Sequence, residues 1–228
     1  LFHQIKSGEY LVEEVDKLTG PAIGRPKSAT FRTADIAGLD TMCHVANGVY
    51  EKCKEDEARE VFKLPDFLQK MLDSNMLGSK TGKGFYKKIK DNNGKSKILA
   101  LDLNTFKYNE QKKVSYETLK NARKCKKRDE KFKTLISGND KASEFYKENF
   151  ARMFGYIQNR IPEISNDITS IDAALKTGFG WKDGPFEIWN YIGVKEGVEL
   201  MKKFDLKPAE WINAVSYTHL RAHETHND

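Results

Sequence analysis

Apolar residues recur at helical rather than alternating spacing along most of this chain, and the breaks between those stretches fall on glycine and proline. Val12, Val15 and Leu18 define a short amphipathic helix that opens near Ser7 and stops at Gly20-Pro21. After a loop from Gly20 to Lys27, the residues Met42, Val45, Ala46, Val49, Tyr50 and Cys53 follow the i, i+3, i+4, i+7 pattern, with Asp40 placed to cap the helix start. Pro65 suits a first helical turn, Phe67, Leu68, Met71 and Leu72 supply the apolar face behind it, and Gly78 ends it.

From Lys80 to Asn109 the character changes. Thr81-Gly82-Lys83-Gly84 reads as a loop, Asp91-Asn92-Asn93-Gly94 as a turn, and Ile98 to Leu103 as a short strand pairing with Phe106 to Tyr108. A helix through a basic run follows. Beyond it comes a long helix from about Lys141, with Tyr146, Phe150, Met153, Ile157, Ile161 and Ile164 on one face, which Pro162 should kink or split. Ile168, Ile171 and Leu175 begin a helix that stops at Gly178 and Gly180. Pro185 starts the next, Gly193 closes it, and Val194, Val198, Met201 and Phe204 mark one more before Pro208.

The pattern also repeats. Val15-Asp16, Gly20 to Gly24, Phe31, Asp35 and Gly38 are echoed in the same order by Ile171-Asp172, Gly178 to Gly180, Phe186, Asn190 and Gly193. Each copy reads as helix, Gly-rich loop, short helix, glycine, helix. Duplication of one ancestral unit accounts for the order better than chance. The fold expected is therefore mainly α: two copies of a small helical domain packed with pseudo-two-fold symmetry, with a linker that leaves room for a short β hairpin. Residues 1–90 form the first copy, 91–140 the linker with its basic helix, and 141–215 the second copy. Because 80–133 is the most polar stretch, it is expected to stay outside the core, whereas Phe31 and Phe186 should be buried in equivalent places.

Composition changes this picture little. The 228 residues are 39% hydrophobic and 32% charged, an ordinary globular balance without a membrane-spanning stretch or a signal-peptide pattern, so a cytoplasmic location is the default. Three cysteines without C-x-x-C spacing indicate neither a disulfide framework nor a zinc site. The net charge of +6 is concentrated between Lys112 and Lys133, where ten Lys or Arg residues face only Glu117, Asp129 and Glu130. No aromatic series interleaves those charges, so a solvated helix face is preferred over a nucleic-acid patch. His44 beside the helix stripe is read as a packed or hydrogen-bonded histidine, and adjacent Cys43 and His44 point apart on a helix, which disfavours a nucleophile pair. Gly78 to Gly84 departs from a phosphate-binding P-loop in glycine spacing, in lacking Ser or Thr after Lys83, and in lacking a preceding strand. His219, His223 and His226 have metal-ligand spacing. They lie in a tail, 216–228, whose Ser216-Tyr217-Thr218-His219-Leu220-Arg221-Ala222-His223-Glu224-Thr225 is similar to translated sequencing-adapter read-through. That tail is set aside as non-native, and no metal is expected.

Three segments carry a family resemblance. Gly20 through Thr33 (Gly-Pro-Ala-Ile-Gly-Arg-Pro-Lys-Ser-Ala-Thr-Phe-Arg-Thr), then Gly38-Leu39-Asp40-Thr41, and Leu77 through Tyr86 resemble the C-terminal domain of 3-hydroxyacyl-CoA dehydrogenases. Gly184-Pro185-Phe186-Glu187 is similar to that domain's other frequent form. The resemblance spans about Gly8 to Ala214 and is nearest to bacterial fusion proteins in which a dehydrogenase with two such helical repeats precedes an enoyl-CoA hydratase domain. It implies the C-terminal part of an enzyme that oxidises (S)-3-hydroxyacyl-CoA to 3-oxoacyl-CoA with NAD in fatty-acid β-oxidation. It also implies a preceding Rossmann domain that binds NAD and supplies the histidine–glutamate pair, and a substrate-polarising asparagine just upstream of Leu1.

No catalytic, cofactor-binding or metal-binding residue is accordingly assigned to this chain, which lacks a G-x-G-x-x-G after a strand. The substrate-binding residues implied are Gly24, Pro26, Lys27, Ser28, Thr30 and Phe31, in a loop lining the acyl side of the cleft, with Lys27 either meeting the acidic CoA or standing as an ordinary solvated lysine. Asp183 and Glu187 are read as structural. The partners implied are acyl-CoA, the chain's own Rossmann domain and a hydratase domain, with neither nucleic acid nor a membrane span. The alternative is a non-catalytic helical interaction or dimerisation module.

Overall fold

The computed structural model describes residues 8–91 and 93–215, within which the chain divides into two units. One contains the chain up to Pro21 together with Lys27–Val114, and the other contains Ala22–Pro26 together with the chain from Ser115 onward.

In the first unit, α1 (Val12–Thr19) buries the three predicted positions Val12, Val15 and Leu18. The Glu14 carboxylate accepts the Leu11 N–H (2.8 Å), satisfying one of the donors that a helix start leaves open. Helix α2 (Phe31–Ala37) and helix α3 (Leu39–Lys52) meet at Gly38, whose φ of 95° and ψ of 126° turn the chain where a side chain would be strained. Asp40 is not the cap expected of it: the cap position is Gly38, and Asp40 lies in the first turn, paired with Lys80 across the fold and favourably placed near the helix N-terminus. The expected α3 stripe is also not the buried face. Leu39 and Cys43 are buried, while Val45 is 57% exposed.

Helix α4 (Asp66–Asp73), started by Pro65, buries Leu68 and Met71. A three-stranded antiparallel sheet follows: β1 (Tyr86–Lys90), β2 (Ser96–Asp102) and β3 (Lys107–Glu110), in that spatial order, with Tyr86 opposite Ala100 and Leu101 opposite Tyr108. The expected pair β2–β3 is present, and β1 is an additional strand. Phe85, Tyr86, Ala100 and Leu101 are buried with Phe31 and Leu39, and the Phe31 and Phe85 rings lie 4.5 Å apart between centroids.

In the second unit the basic run is broken into α5 (Glu117–Lys124) and α6 (Arg128–Ser137), since Cys125 and Lys127 have extended backbone. Leu119, Ala122, Phe132 and Leu135 are buried, so polar composition misplaced 80–133: its charges lie on exposed faces while its few apolar residues enter both cores. Helix α7 (Lys141–Ile157) is capped by Asp140, which accepts the Ser143 N–H (3.0 Å). Its buried row is Tyr146, Phe150, Phe154 and Ile157. The split at Pro162 is present: a single turn, α8 (Arg160–Glu163), holds Ile161 at φ −107° and ψ 120°, the extended conformation that a following proline imposes. Ile164, expected on the buried face, lies beyond that break and is 72% exposed.

Helix α9 (Ile168–Phe179) is capped by Asp167 and ends at Gly180 in the left-handed region. Helices α10 (Pro185–Ile192), α11 (Val194–Lys203) and α12 (Glu210–Val215) complete the unit. An aromatic column fills its core: Tyr146, Phe150 and Phe154 stack in sequence along α7, and Phe154 stacks on Trp189 at 4.6 Å. The tail 216–228, with its three histidines, lies outside the described residues.

Candidate functional site

The residues singled out from the sequence lie on the connection between α1 and α2, and a buried acid beneath that connection explains its shape. Asp16, on α1, accepts the backbone N–H groups of Thr30, Phe31 and Arg32 at 3.0, 2.6 and 3.0 Å. Those are the donors that the start of α2 would otherwise leave open, so one carboxylate fixes where the loop ends and the helix begins. Tyr86 donates its hydroxyl to the same carboxylate (2.8 Å). Desolvation nevertheless dominates, and Asp16 is held above the ordinary carboxylate range against the opposing hydrogen bonds. Burial and the charge of Asp16 together push the Tyr86 hydroxyl well above its usual value.

A second acid locks the other side. Asp35, 1% exposed, accepts the N–H groups of Phe85 and Tyr86, both at 2.8 Å. Burial pushes its carboxyl up to about 6, with the two backbone bonds pulling the other way. Glycine is required at Gly84 and Gly78 because a Cβ at either would collide with Asp35. The Thr81-Gly82-Lys83-Gly84 loop, closed by a Gly78 N–H bond to the Lys83 carbonyl (2.8 Å), is thereby fastened to α2.

Within the loop itself, Thr30 shares a hydroxyl hydrogen bond with Thr19 (2.8 Å), and Thr33 donates to the Ser28 hydroxyl (2.8 Å). Lys27 is exposed. Phe31 is fully buried against Phe85, so its ring anchors the loop and presents no surface to a ligand.

Gly24 and Pro26 fall in the segment that belongs to the second unit. The Gly24 carbonyl accepts the Lys182 N–H (2.8 Å), and the Arg25 guanidinium lies 4.0 Å over the Trp181 ring. Arg25 Nε is shut off from solvent without a hydrogen-bond partner, and desolvation lowers the guanidinium to about 10, with Tyr146 opposing. Next to Gly24 sits Asp183, 4% exposed, whose Oδ2 lies 3.3 Å from Arg128 Nη1 and takes no hydrogen bond. Burial raises the Asp183 carboxyl and Arg128 counteracts it. Arg25 lies inside the Gly20–Thr33 segment, where the sequence pattern assigns it no role. An arginine wedged between glycine and proline was the available signal, because such a short rigid turn forces the long side chain toward whatever packs there.

The second unit repeats the acid-to-helix device locally. Asp172, on α9, accepts the N–H groups of Phe186 (2.8 Å) and Glu187 (3.1 Å) at the start of α10, and Phe186 is fully buried. Gly193 takes φ 111° and ψ 137° between α10 and α11, close to the Gly38 conformation. Glu187 accepts the Gly184 N–H (2.8 Å) and pairs with Lys176 (3.0 Å).

Residues elsewhere offer little chemistry. Burial pushes the Cys43 thiol up to about 11, which keeps it protonated near neutral pH, and neighbouring His44 is exposed rather than packed. Among the described residues no cluster of His, Cys, Asp or Glu is arranged for a metal, and no helix is long and apolar enough to cross a membrane. What the arrangement does is fix the end of the loop through Asp16 and leave Lys27 exposed.

Residues 1–88 match the family model for the C-terminal domain of 3-hydroxyacyl-CoA dehydrogenase. The chain is 44% identical, over 92% of its own length and 26% of the relative's, to a probable 3-hydroxyacyl-CoA dehydrogenase of Bacillus subtilis. It is 51% identical over 34% of its length, and 22% of the relative's, to a protein of the same description from Deinococcus radiodurans. A putative fatty acid oxidation complex trifunctional enzyme of Rickettsia prowazekii is 26% identical over 83% of the chain and 25% of the relative. The chain thus spans about a quarter of the length of these relatives.

Proposed function

With residues 1–88 matching the C-terminal domain of 3-hydroxyacyl-CoA dehydrogenases, we propose that the chain is the helical substrate-facing part of an NAD-dependent enzyme. That enzyme oxidises (S)-3-hydroxyacyl-CoA to 3-oxoacyl-CoA in fatty-acid oxidation. The observation that carries this reading is the loop from Gly24 to Phe31, held at its end by three backbone N–H bonds to Asp16 in the part of the chain that matches the family. Lys27 and Ser28, at the exposed turn, are the residues of that loop proposed to meet the acyl-CoA.

The described residues do not fit NAD. Their sheet is antiparallel throughout, and no strand enters a helix through a glycine-rich turn that could hold a pyrophosphate. The cofactor and the base that removes the hydroxyl proton are therefore assigned to another domain of the whole enzyme. The echo of Asp16, Phe31 and Gly38 in Asp172, Phe186 and Gly193 supports the proposal that the two units descend from one duplicated helical domain. The trifunctional relative supports, for the whole protein, a proposed enoyl-CoA hydratase domain as partner.

Two assays test this reading. The chain alone should give no NADH from 3-hydroxybutyryl-CoA and NAD, and turnover there would refute the placing of base and cofactor elsewhere. The full-length protein containing the chain should produce NADH, and substituting Lys27 by alanine should raise KM for the acyl-CoA several-fold with little change in kcat. A full-length protein inactive on every 3-hydroxyacyl-CoA would leave the interaction-module reading, which exposed Ile36, Val45 and Val61 favour.

A further inference from the structure

A cleft of about 440 Å³ opens on the first unit, in the size range of small-ligand sites. Its wall carries Arg32 from α2, Lys88 and Lys90 from β1, and the hydroxyl residues Ser79 and Ser96, and no acidic residue lines it. All three cations are exposed, and among the described residues none of them is in an ion pair. Three other lysines of the same unit, Lys80, Lys97 and Lys63, are paired with Asp40, Glu110 and Glu60, so what sets this cleft apart is the gathering of three cations on one concavity and not the lack of a partner by itself. Three unmatched positive side chains facing one concavity repel one another, and their summed field favours an anion of two or more charges. Lysines on an edge strand also discourage strand-to-strand aggregation, which would account for Lys88 and Lys90. It would not account for Arg32, which comes from a helix and lines the same space.

Arg32 also ties the cleft to the candidate loop. It directly follows Phe31, and its own N–H is the third donor fixed by Asp16, so the backbone that sets the loop also sets the position from which this guanidinium extends. Gly78, which also lines the cleft, is held against Asp35 and its N–H bonds to the Lys83 carbonyl, so lining residues from two segments rest on the buried acids. No P-loop geometry is needed: guanidinium and ammonium groups, with hydroxyls beside them, are the ordinary partners of phosphate oxygens.

We propose that this cleft binds the phosphate groups of a phosphorylated ligand, and that the ligand is the nucleotide diphosphate end of coenzyme A, whose acyl end would then run toward the Gly24 to Phe31 loop. The choice of carrier rests on the function proposed above. The phosphate site itself does not.

Calorimetric titration of the purified chain tests it, with pyrophosphate, coenzyme A and pantetheine as probes at low and at physiological salt. Pyrophosphate and coenzyme A should both bind, more weakly at the higher salt, and pantetheine, which lacks phosphate, should not. Replacing Arg32, Lys88 and Lys90 by alanine should weaken both at least tenfold. Replacing Lys52, Lys126 and Lys133, which removes the same charge, should change affinity less than twofold. Should the triple variant lose its circular dichroism, K88E alone, on an exposed edge position, serves in its place and should weaken pyrophosphate at least threefold. Equal losses in the two triple variants, or no pyrophosphate binding, would overturn the site. Binding of pyrophosphate without coenzyme A, or of pantetheine as tightly as coenzyme A, would overturn the assignment of carrier while leaving the dehydrogenase assay to judge the function by itself.

Discussion

Asp16 and Asp172 stand at the same point of a repeated pattern, and each accepts the N–H groups that begin the next helix, but what surrounds them differs. Around Asp16 the structure adds a tyrosine hydroxyl from β1, a fixed loop and a cationic cleft. Around Asp172 it adds a glycine whose Cβ would collide with the carboxylate, and a glutamate paired with Lys176 above a stacked aromatic core. One backbone device therefore serves two ends. It recurs because unmet helix donors are costly wherever they occur, whatever side chains surround it.

The largest effects should come where the two units are alike. Truncating Phe31 or Phe186 to alanine should each cost about 3 to 5 kcal/mol in urea denaturation, as expected for a large ring removed from a closed core. A cost below about 1 kcal/mol at either one would end the claim that both hold the same kind of position.

Next come the acids themselves. Asp16→Ala and Asp172→Ala each strand helix-start donors and should cost about 2 to 3 kcal/mol. Tyr86→Phe, which removes only the hydroxyl bonded to Asp16, should cost about 1 kcal/mol. If Tyr86→Phe were as damaging as Asp16→Ala, the tyrosine and not the helix start would be what Asp16 serves.

A pH series separates the units further. Asp35 titrates near pH 6 when folded against 3.8 in a free chain, so the folded state binds the proton more tightly. Its contribution to stability is full below about pH 4 and is lost as pH rises through about 6. The stability of the wild type relative to Asp35→Asn should therefore fall across that window, followed by thermal melting at pH 4, 5, 6 and 7. A flat difference would show that burial does not dominate at this acid.

The smallest effect is expected on α3. Val45→Ser, at an exposed position, should change stability by less than about 0.5 kcal/mol, and a larger loss would mean that a surface described as open is covered in solution.

Much of the helical framework was legible because helix spacing and glycine–proline punctuation report local physics. α10 and the break at Pro162 lie where the pattern puts them, and α1 and α4 bury the expected faces but are shorter than expected, α1 beginning at Val12 rather than near Ser7 and α4 stopping at Asp73 rather than at Gly78. Long-range partners were not legible. The lysine-rich segment Tyr86–Lys90 carries little strand signature and becomes a strand because β2 pairs with it. The α3 stripe was read by hydrophobicity alone, yet Leu39 and Cys43, set by the turn at Gly38, face inward. Of the candidate loop, the repeated pattern made the burial of Phe31 legible, but not the stacking of Arg25 or the cations beyond Arg32, which depend on residues far along the chain.

The turn Ala22–Pro26 is made early in synthesis but can be fastened only late. During synthesis Arg25 emerges with the first unit, but Trp181, Lys182 and Asp183, which hold it and Gly24, are made only after that unit is complete. Domains fold largely as they appear, so the nascent chain must carry this turn unfastened while the rest of the first unit settles. Expression truncated after Val114 would leave it so permanently, and a protease that cleaves after lysine should cut such a product at Lys27, directly after this turn, far sooner than it cuts the whole chain there, the Arg25 bond itself being protected by Pro26.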